Sequence, residues 1–497
     1  MSASPRPSAA MWPRLFRRFD GRAATLQAQV RDMLAHAIHD GLIGADTPLP
    51  ASRALAGALG VSRVTVTLAL QQLIDAGLVV SRPRSGCFVA ADARPTRLAI
   101  APDRAADPRA GQAQIDWTAR LRIAPSRQRN IRKPADWMRQ PYPFIYGQFD
   151  ASLFPVAAWR ECAQESLHVA AIRSWAPDQI DRDHAPLVEQ IQQRLLPARG
   201  IWARREEILI TSGAQQATFM LAQLLVDRDT TVGIEDPGYP DARNNFALRT
   251  QDIVRLPVDD DGLVVDARLA RCRYVYVTPS HQCPTTATMP LQRRQALLAA
   301  AQRHDLVLIE DDHESELNHL GRPTAALKSL DADNRVIYLG SLSKTLAHGL
   351  RLGYVVAPAA LIDELRALRR LIARHPPTNN ELAAARFIAH GHQESFVRRL
   401  NSAYRERAAA LRAALARHLP QLSFLDSHGG SALWVRAPRG VDTRELAQAA
   451  LAQGIVIEPG DVFFGAERPP RNFMRLGYSS IAVDRIEPGV RRLARLL

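Results

Sequence analysis

A chain of 497 residues with 46% apolar content is too long for one ordinary core and too apolar to be disordered throughout, so two or more folded domains are expected. The formal charge is +14, and residues 1–132 carry +10 of it, which points to a local polyanion-binding surface rather than a generally basic protein. Four cysteines without CxxC spacing or a histidine at metal-ligand spacing argue against a zinc site or a disulfide framework, and no stretch has signal-peptide or membrane-span character; the chain reads as cytoplasmic, with no metal and no membrane.

In chain order, Leu26, Val30, Met33, Leu34, Ala37 and Ile38 recur at helical spacing up to Gly41 and predict a first helix. A short helix from Ser52 to Leu59, the breaker Gly60 and a second helix from Arg63 to Asp75 make a helix-turn-helix. Leu78–Val80 and Cys87–Val89 flank the basic Ser81-Arg-Pro-Arg-Ser-Gly86 and read as a hairpin, a wing. The second helix of such a motif meets the DNA major groove with its first turn, which nominates Ser62, Arg63, Thr65 and Val66. Ser52 and Arg53, opening the preceding helix, suit contact with the phosphate backbone or, for Ser52, a cap. Any one of these residues alone is equally well an exposed helix position; the grouping is what carries the reading.

Residues 91–132, rich in Ala, Arg, Asp and Pro, read as a linker between a domain at 19–90 and a larger one at 133–497. In the latter, Ile208–Ile210, Val232–Ile234, Tyr274–Val277, Leu306–Ile309, Val336–Leu339 and Tyr354–Val356 alternate with Ala/Leu/Arg-rich helical stretches, predicting an α/β domain with a mostly parallel sheet. A strongly helical run from about Leu361 leads into a smaller α+β subdomain, placed at about 365–497.

The chain has only three lysines, Lys133, Lys328 and Lys344, and Lys344 alone directly follows a strand, where open α/β sheets place ligands. Ser341, Ser343 and Arg351 around it can bind phosphate oxygens. Gly213, Ala214 and Gln215 open a helix after the strand ending at Ile210, a second anion site, although such turns are common in α/β proteins. The strand Leu306–Ile309 runs into Glu310, Asp311 and Asp312, three carboxylates that repel one another unless a cation joins them, or that simply face water. Tyr239, in Glu235-Asp-Pro-Gly-Tyr-Pro, could cover an aromatic ring or sit in an exposed turn. An amine, a carboxylate for a pyridine nitrogen, a phosphate cradle and an aromatic surface together are what pyridoxal 5′-phosphate (PLP) requires.

Leu49-Pro-Ala-Ser-Arg53, Leu59-Gly-Val-Ser-Arg63-Val-Thr-Val66 and Gly86–Val89 resemble the winged helix of GntR-type regulators, which assigns Arg84 and Gly86 to a wing approaching the minor groove. Ala51 departs from the serine common in that family. Ser341-Leu-Ser-Lys-Thr-Leu-Ala-His-Gly-Leu-Arg-Leu-Gly-Tyr354, Thr278-Pro-Ser-His-Gln282 and Glu310-Asp-Asp resemble fold-type I aminotransferases, and the fusion resembles the MocR/GabR-type subfamily. That resemblance implies Lys344 as the cofactor-bearing lysine, Asp311 as partner of the pyridine nitrogen, Tyr239 as the stacking ring, Arg351 as a phosphate ligand and His281 near the ring oxygen. In Asn472-Phe-Met-Arg475-Leu-Gly-Tyr it implies Arg475 as holder of a substrate or effector carboxylate. His313 stands where the subfamily has a tyrosine that hydrogen-bonds the ring oxygen; histidine can donate the same bond. The resemblance further implies a homodimer whose two heads read two half-sites of a double-stranded operator, and an amino-compound effector. The alternative is a working aminotransferase with a secondary DNA-binding head; a third reading is a DNA-binding protein that has lost PLP.

Overall fold

The computed structural model describes residues 11–19, 25–83, 85–93, 115–147, 150–319, 324–425 and 429–497. They form two compact units divided between residues 120 and 121. No single helix among them is long and apolar enough to cross a membrane.

In the first unit, α1 (Met11–Arg17), α2 (Leu26–His39), α3 (Ser52–Leu59) and α4 (Arg63–Asp75) precede an antiparallel hairpin of β1 (Val79–Arg82) and β2 (Gly86–Val89). Trp12, Val30, Met33, Leu34, Leu55, Val66, Leu70, Leu73, Val79 and Val89 make its core. The α4 core positions 66, 69, 70 and 73 follow helical periodicity and fix which face is turned out. Thr25 caps α2 and Ser62 caps α4 through side-chain acceptors, whereas Ala51 occupies the cap of α3 with no side-chain hydrogen bond, and Ser52 does not replace it.

The second unit is built on an eight-stranded sheet. Its strands are β3 (Ile208–Thr211), β4 (Val232–Asp236), β5 (Ile253–Asp259), β6 (Gly262–Leu263), β7 (Tyr274–Val277), β8 (Val307–Asp311), β9 (Val336–Ser341) and β10 (Gly353–Val356), in the spatial order β3-β10-β9-β8-β7-β4-β5-β6. Pairing is parallel from β9 through β8, β7 and β4 to β5; β10 is antiparallel to both neighbours, so β3 again runs with β9. The strands are apolar along most of their length because both faces are covered.

A second core gathers around a four-stranded antiparallel sheet, Ser423–Phe424, Ala432–Arg436, Phe473–Gly477 and Glu458–Pro459, covered by helices His392–His418 and Val483–Leu493. The helices Ala359–Ala373 and Thr378–Ala389, expected near the start of this subdomain, instead pack on the large sheet through Ile362 and Leu365 and through Phe387 and Ile388. The small core takes its first helical residue at Phe396 and also draws Phe144 from far upstream. An amphipathic sequence declares that a helix has a buried face, not which sheet it meets. Similarly, residues 121–132 of the expected linker belong to the second unit, where Gln128 and Arg129 donate to the carbonyls of Asn244 and Phe464.

Candidate functional site

The carboxyl ends of β3, β4, β7, β8 and β9 point to one edge of the sheet, because the two reversals at β10 restore the common direction. Gly213, Tyr239, Thr278, Asp311 and Ser341 follow or end these five strands and are thereby collected into one neighbourhood. A cavity of about 160 Å³ opens there. Of the expected residues it is lined by Lys344, Asp311, His313, Tyr239, Ser341, Ser343, Arg351, Ala214 and Gln215; Tyr146, Thr218, Thr278, Cys283 and His348 complete the wall.

The three consecutive carboxylates are resolved by the alternation of a strand. Glu310 accepts backbone N–H bonds from Leu327 (2.7 Å) and Lys328 (2.8 Å). Asp312 is held by Arg199 Nε (2.8 Å) and the Tyr338 hydroxyl (2.7 Å). Asp311 points the other way, into the cavity; Tyr276 donates to its Oδ2, and its buried Oδ1 has no hydrogen-bond partner among the described residues. Burial lifts the Asp311 carboxyl to about 6. A buried acceptor left over at the end of a parallel strand fits a cationic N–H such as that of a pyridinium.

Lys344 follows β9, and its Nζ donates to the Gly147 carbonyl (3.3 Å) and lies 4.4 Å from the centre of the Tyr146 ring. Burial draws the amine down to about 8, which leaves a larger unprotonated, nucleophilic fraction near neutrality than a free lysine has. Gly147 is indispensable to this approach: it sits at φ +59°, and a Cβ there would lie 2.0 Å from Nζ.

The other end of the cavity suits an anion. Gly213 caps helix α5 (Ala214–Leu225) at φ +84° with no side-chain cap, so first-turn N–H groups remain for a ligand. Arg351 donates to the Ser212 carbonyl (3.3 Å), and a Cβ on Gly213 would come within 2.7 Å of its guanidinium. Ser341 Oγ accepts from the Ser343 backbone N–H (3.3 Å), while Ser343 Oγ and both ring nitrogens of His348 are buried with no hydrogen-bond partner among the described residues. Amine, orphaned carboxylate and phosphate cradle thus share one cavity with Tyr239, which fits PLP. His313 lies with its Nδ1 3.9 Å from Asp311 Oδ1, and burial beside Lys344 lowers its ring to about 3, so it stays neutral and can donate.

Two expected residues stand elsewhere. His281 is buried against Gly429 and Gly430 rather than on the cavity wall, its pKa lowered to about 4 by burial; a role at the ring oxygen is corrected on that geometry. Arg475 is not on the cavity wall: its guanidinium lies 3.9 Å from the centre of the Tyr146 ring, the ring that Lys344 also approaches. Arg475 Nε donates to Glu458 Oε2 (2.8 Å), and Lys133 Nζ is 3.8 Å from Glu458 Oε1. Neither Glu458 nor Tyr146 was nominated by the sequence, since both belong to short, unpatterned segments; His348 was within the lysine motif and identifiable as a polar residue there.

On the head, Ser52 is half-buried at the start of α3, and Arg53, Ser62 and Arg63 are exposed. Ser62 Oγ accepts from the Thr65 backbone N–H (3.1 Å) and pairs with its hydroxyl (2.8 Å), so both side chains shape the first turn of α4. Val66 is fully buried and cannot touch a base; its expected groove role is corrected. The outward apolar residues of α4 are Val64, 67% exposed, and Leu68, 47% exposed. Gly86 stands at φ +97° beside the hairpin tip, while Arg84 lies outside the described residues.

Residues 26–89 match the family model "Bacterial regulatory proteins, gntR family", and residues 147–493 match "Aminotransferase class I and II". The HTH-type transcriptional regulator TauR of Rhodobacter capsulatus is 42% identical over 96% of this chain and 97% of its own length. The probable rhizopine catabolism regulatory protein MocR of Rhizobium meliloti is 31% identical over 94% of this chain and 93% of its own. Among solved structures, the α-aminoadipate aminotransferase LysN of Thermus thermophilus, complexed with N-(5′-phosphopyridoxyl)-L-leucine, superposes with a TM-score of 0.69 at 29% identity, covering 77% of this chain and 98% of that one. With both halves matched in one chain and full-length relatives of the same arrangement, the protein belongs to the MocR/GabR-type subfamily of GntR transcription regulators, a winged helix-turn-helix joined to a fold-type I aminotransferase domain.

Proposed function

We propose that the protein is a cytoplasmic, homodimeric regulator that holds PLP on Lys344 and changes its affinity for an operator when an amino compound with an acidic group enters the cavity. The observation that carries this reading is the buried Asp311 Oδ1, which has no hydrogen-bond partner among the described residues and lies in the same cavity as Lys344. Bound PLP supplies an electrophilic carbon at which one amine can replace another. Lys344 supplies the resident amine, Asp311 accepts from the pyridine nitrogen, and Ser341, Ser343, Arg351 and the N–H groups of Ala214 and Gln215 bind the phosphate. Tyr239 covers the ring, and His313 donates to the ring oxygen as a neutral imidazole. Arg475 receives the effector's acidic group once Glu458 yields its place. Arg53, Ser62, Arg63 and Thr65, with Gly86 and Arg84 in the wing, contact DNA.

Only an effector with different affinity for two arrangements of the protein can shift DNA binding, and Arg475 on the small subdomain and Lys344 on the large one, both against the Tyr146 ring, are a contact set for such a difference. The test is to incubate the PLP form with candidate amino acids and an oxo acid while following operator binding. Altered DNA affinity without sustained turnover is expected. Repeated turnover with unchanged DNA affinity would favour a working aminotransferase.

A further inference from the structure

Away from the cavity, Cys162, His390 and His392 bring one thiol and two imidazoles together, with a ligand atom of each within 4.8 Å of the others. The thiol comes from the helix Val156–Glu165, His390 caps the helix Thr378–Ala389, and His392 begins the helix His392–His418. Gly391 between the histidines stands at φ +77°, the left-handed turn that returns both side chains to one cysteine. The three groups also share a lack of other employment. Among the described residues neither imidazole makes a hydrogen bond, and Cys162 is fully buried as a free thiol. One side of the cluster is closed by aromatic rings: His392 lies 5.5 Å from Phe387, itself 5.6 Å from Trp159. His390 is exposed, so the cluster is reachable from water.

We propose that Cys162, His390 and His392 bind a divalent zinc-like ion, with water as fourth ligand. One soft sulfur and two imidazole nitrogens without any carboxylate in the set select zinc or its mimics over calcium or magnesium, which need oxygen. Binding exchanges the thiol proton, released to solvent, for a metal–sulfur bond. The ion fastens the helix Val156–Glu165 to the turn from which the long helix of the small subdomain departs. The 227 residues between Cys162 and His390 hide this arrangement from any reading of sequence spacing.

Cobalt(II) titration of the tag-free, PLP-bearing protein tests it, since tetrahedral cobalt with a thiolate ligand gives red-region d–d bands and a near-ultraviolet charge-transfer band. One equivalent should bind with both features, be displaced by zinc, and raise the melting temperature. His390→Ala, on the exposed side where folding is undisturbed, and Cys162→Ser should each weaken uptake at least about tenfold, because even an outer partner of a metal ligand is worth that much. No stoichiometric uptake, a spectrum without thiolate character, or binding unchanged in His390→Ala would overturn the assignment.

Discussion

Burial lifts the Asp311 carboxyl to about 6 from the 3.8 of an unfolded chain, so the cofactor-free protein is stabilised by its neutral form below pH 4 and loses that stabilisation as pH rises through 6. Asp311→Asn stays neutral, and by this account the cofactor-free variant exceeds the cofactor-free wild type in stability at pH 8, by up to about 3 kcal/mol, with the difference vanishing near pH 4. Urea denaturation at the two pH values measures it, and equal stability at pH 8 would count against an uncompensated carboxylate. The same substitution should weaken PLP retention, the mark of a group kept for a ligand rather than for the fold. Glu458 poses the complementary case. It already pairs with Arg475, so an acidic effector must compete with it; Glu458→Gln should tighten effector binding roughly tenfold, about 1.4 kcal/mol, in a spectroscopic titration, and an unchanged affinity would separate Arg475 from the effector.

At the scale of elements, α3 lacks a side-chain cap at Ala51, and Ala51→Ser should stabilise the head by about 1 kcal/mol, read as a higher melting temperature. The phase of α4 separates two valines two residues apart. Val64→Asp should weaken operator binding with the fold intact, while Val66→Asp should unfold the head by burying a charge in its core. Circular dichroism together with a DNA-binding assay distinguishes them. The six β-branched runs chosen from the sequence all became strands of one sheet, because apolar runs of that length have few other places to go. Ile253–Asp259 escaped since Arg255 and Pro257 break its apolar pattern; near the sheet edge, where β6 adds only Gly262 and Leu263, such residues are tolerated. The lysine motif and the strand-end carboxylates were legible because chemistry and strand polarity fall in contiguous segments. Tyr146, Glu458 and the displacement of His281 were not, because only tertiary packing brings residues from distant segments to one cavity or holds them away from it.

At the scale of the whole molecule, the basic surplus of residues 1–132 and the aminotransferase architecture make sense together if a small amine is translated into a change in DNA occupancy. Operator affinity should fall steeply with salt, as phosphate-dominated binding does, and a twofold assembly should show one protein dimer per operator in sedimentation. The sensing role depends on Lys344 carrying the cofactor. The visible absorption spectrum of PLP-saturated, desalted wild-type protein, set beside that of Lys344→Ala treated identically, tests that dependence most directly. A protein-bound cofactor band is expected in the wild type and should be lost, or revert to that of the free aldehyde, in the variant; superimposable spectra would overturn the assignment of Lys344.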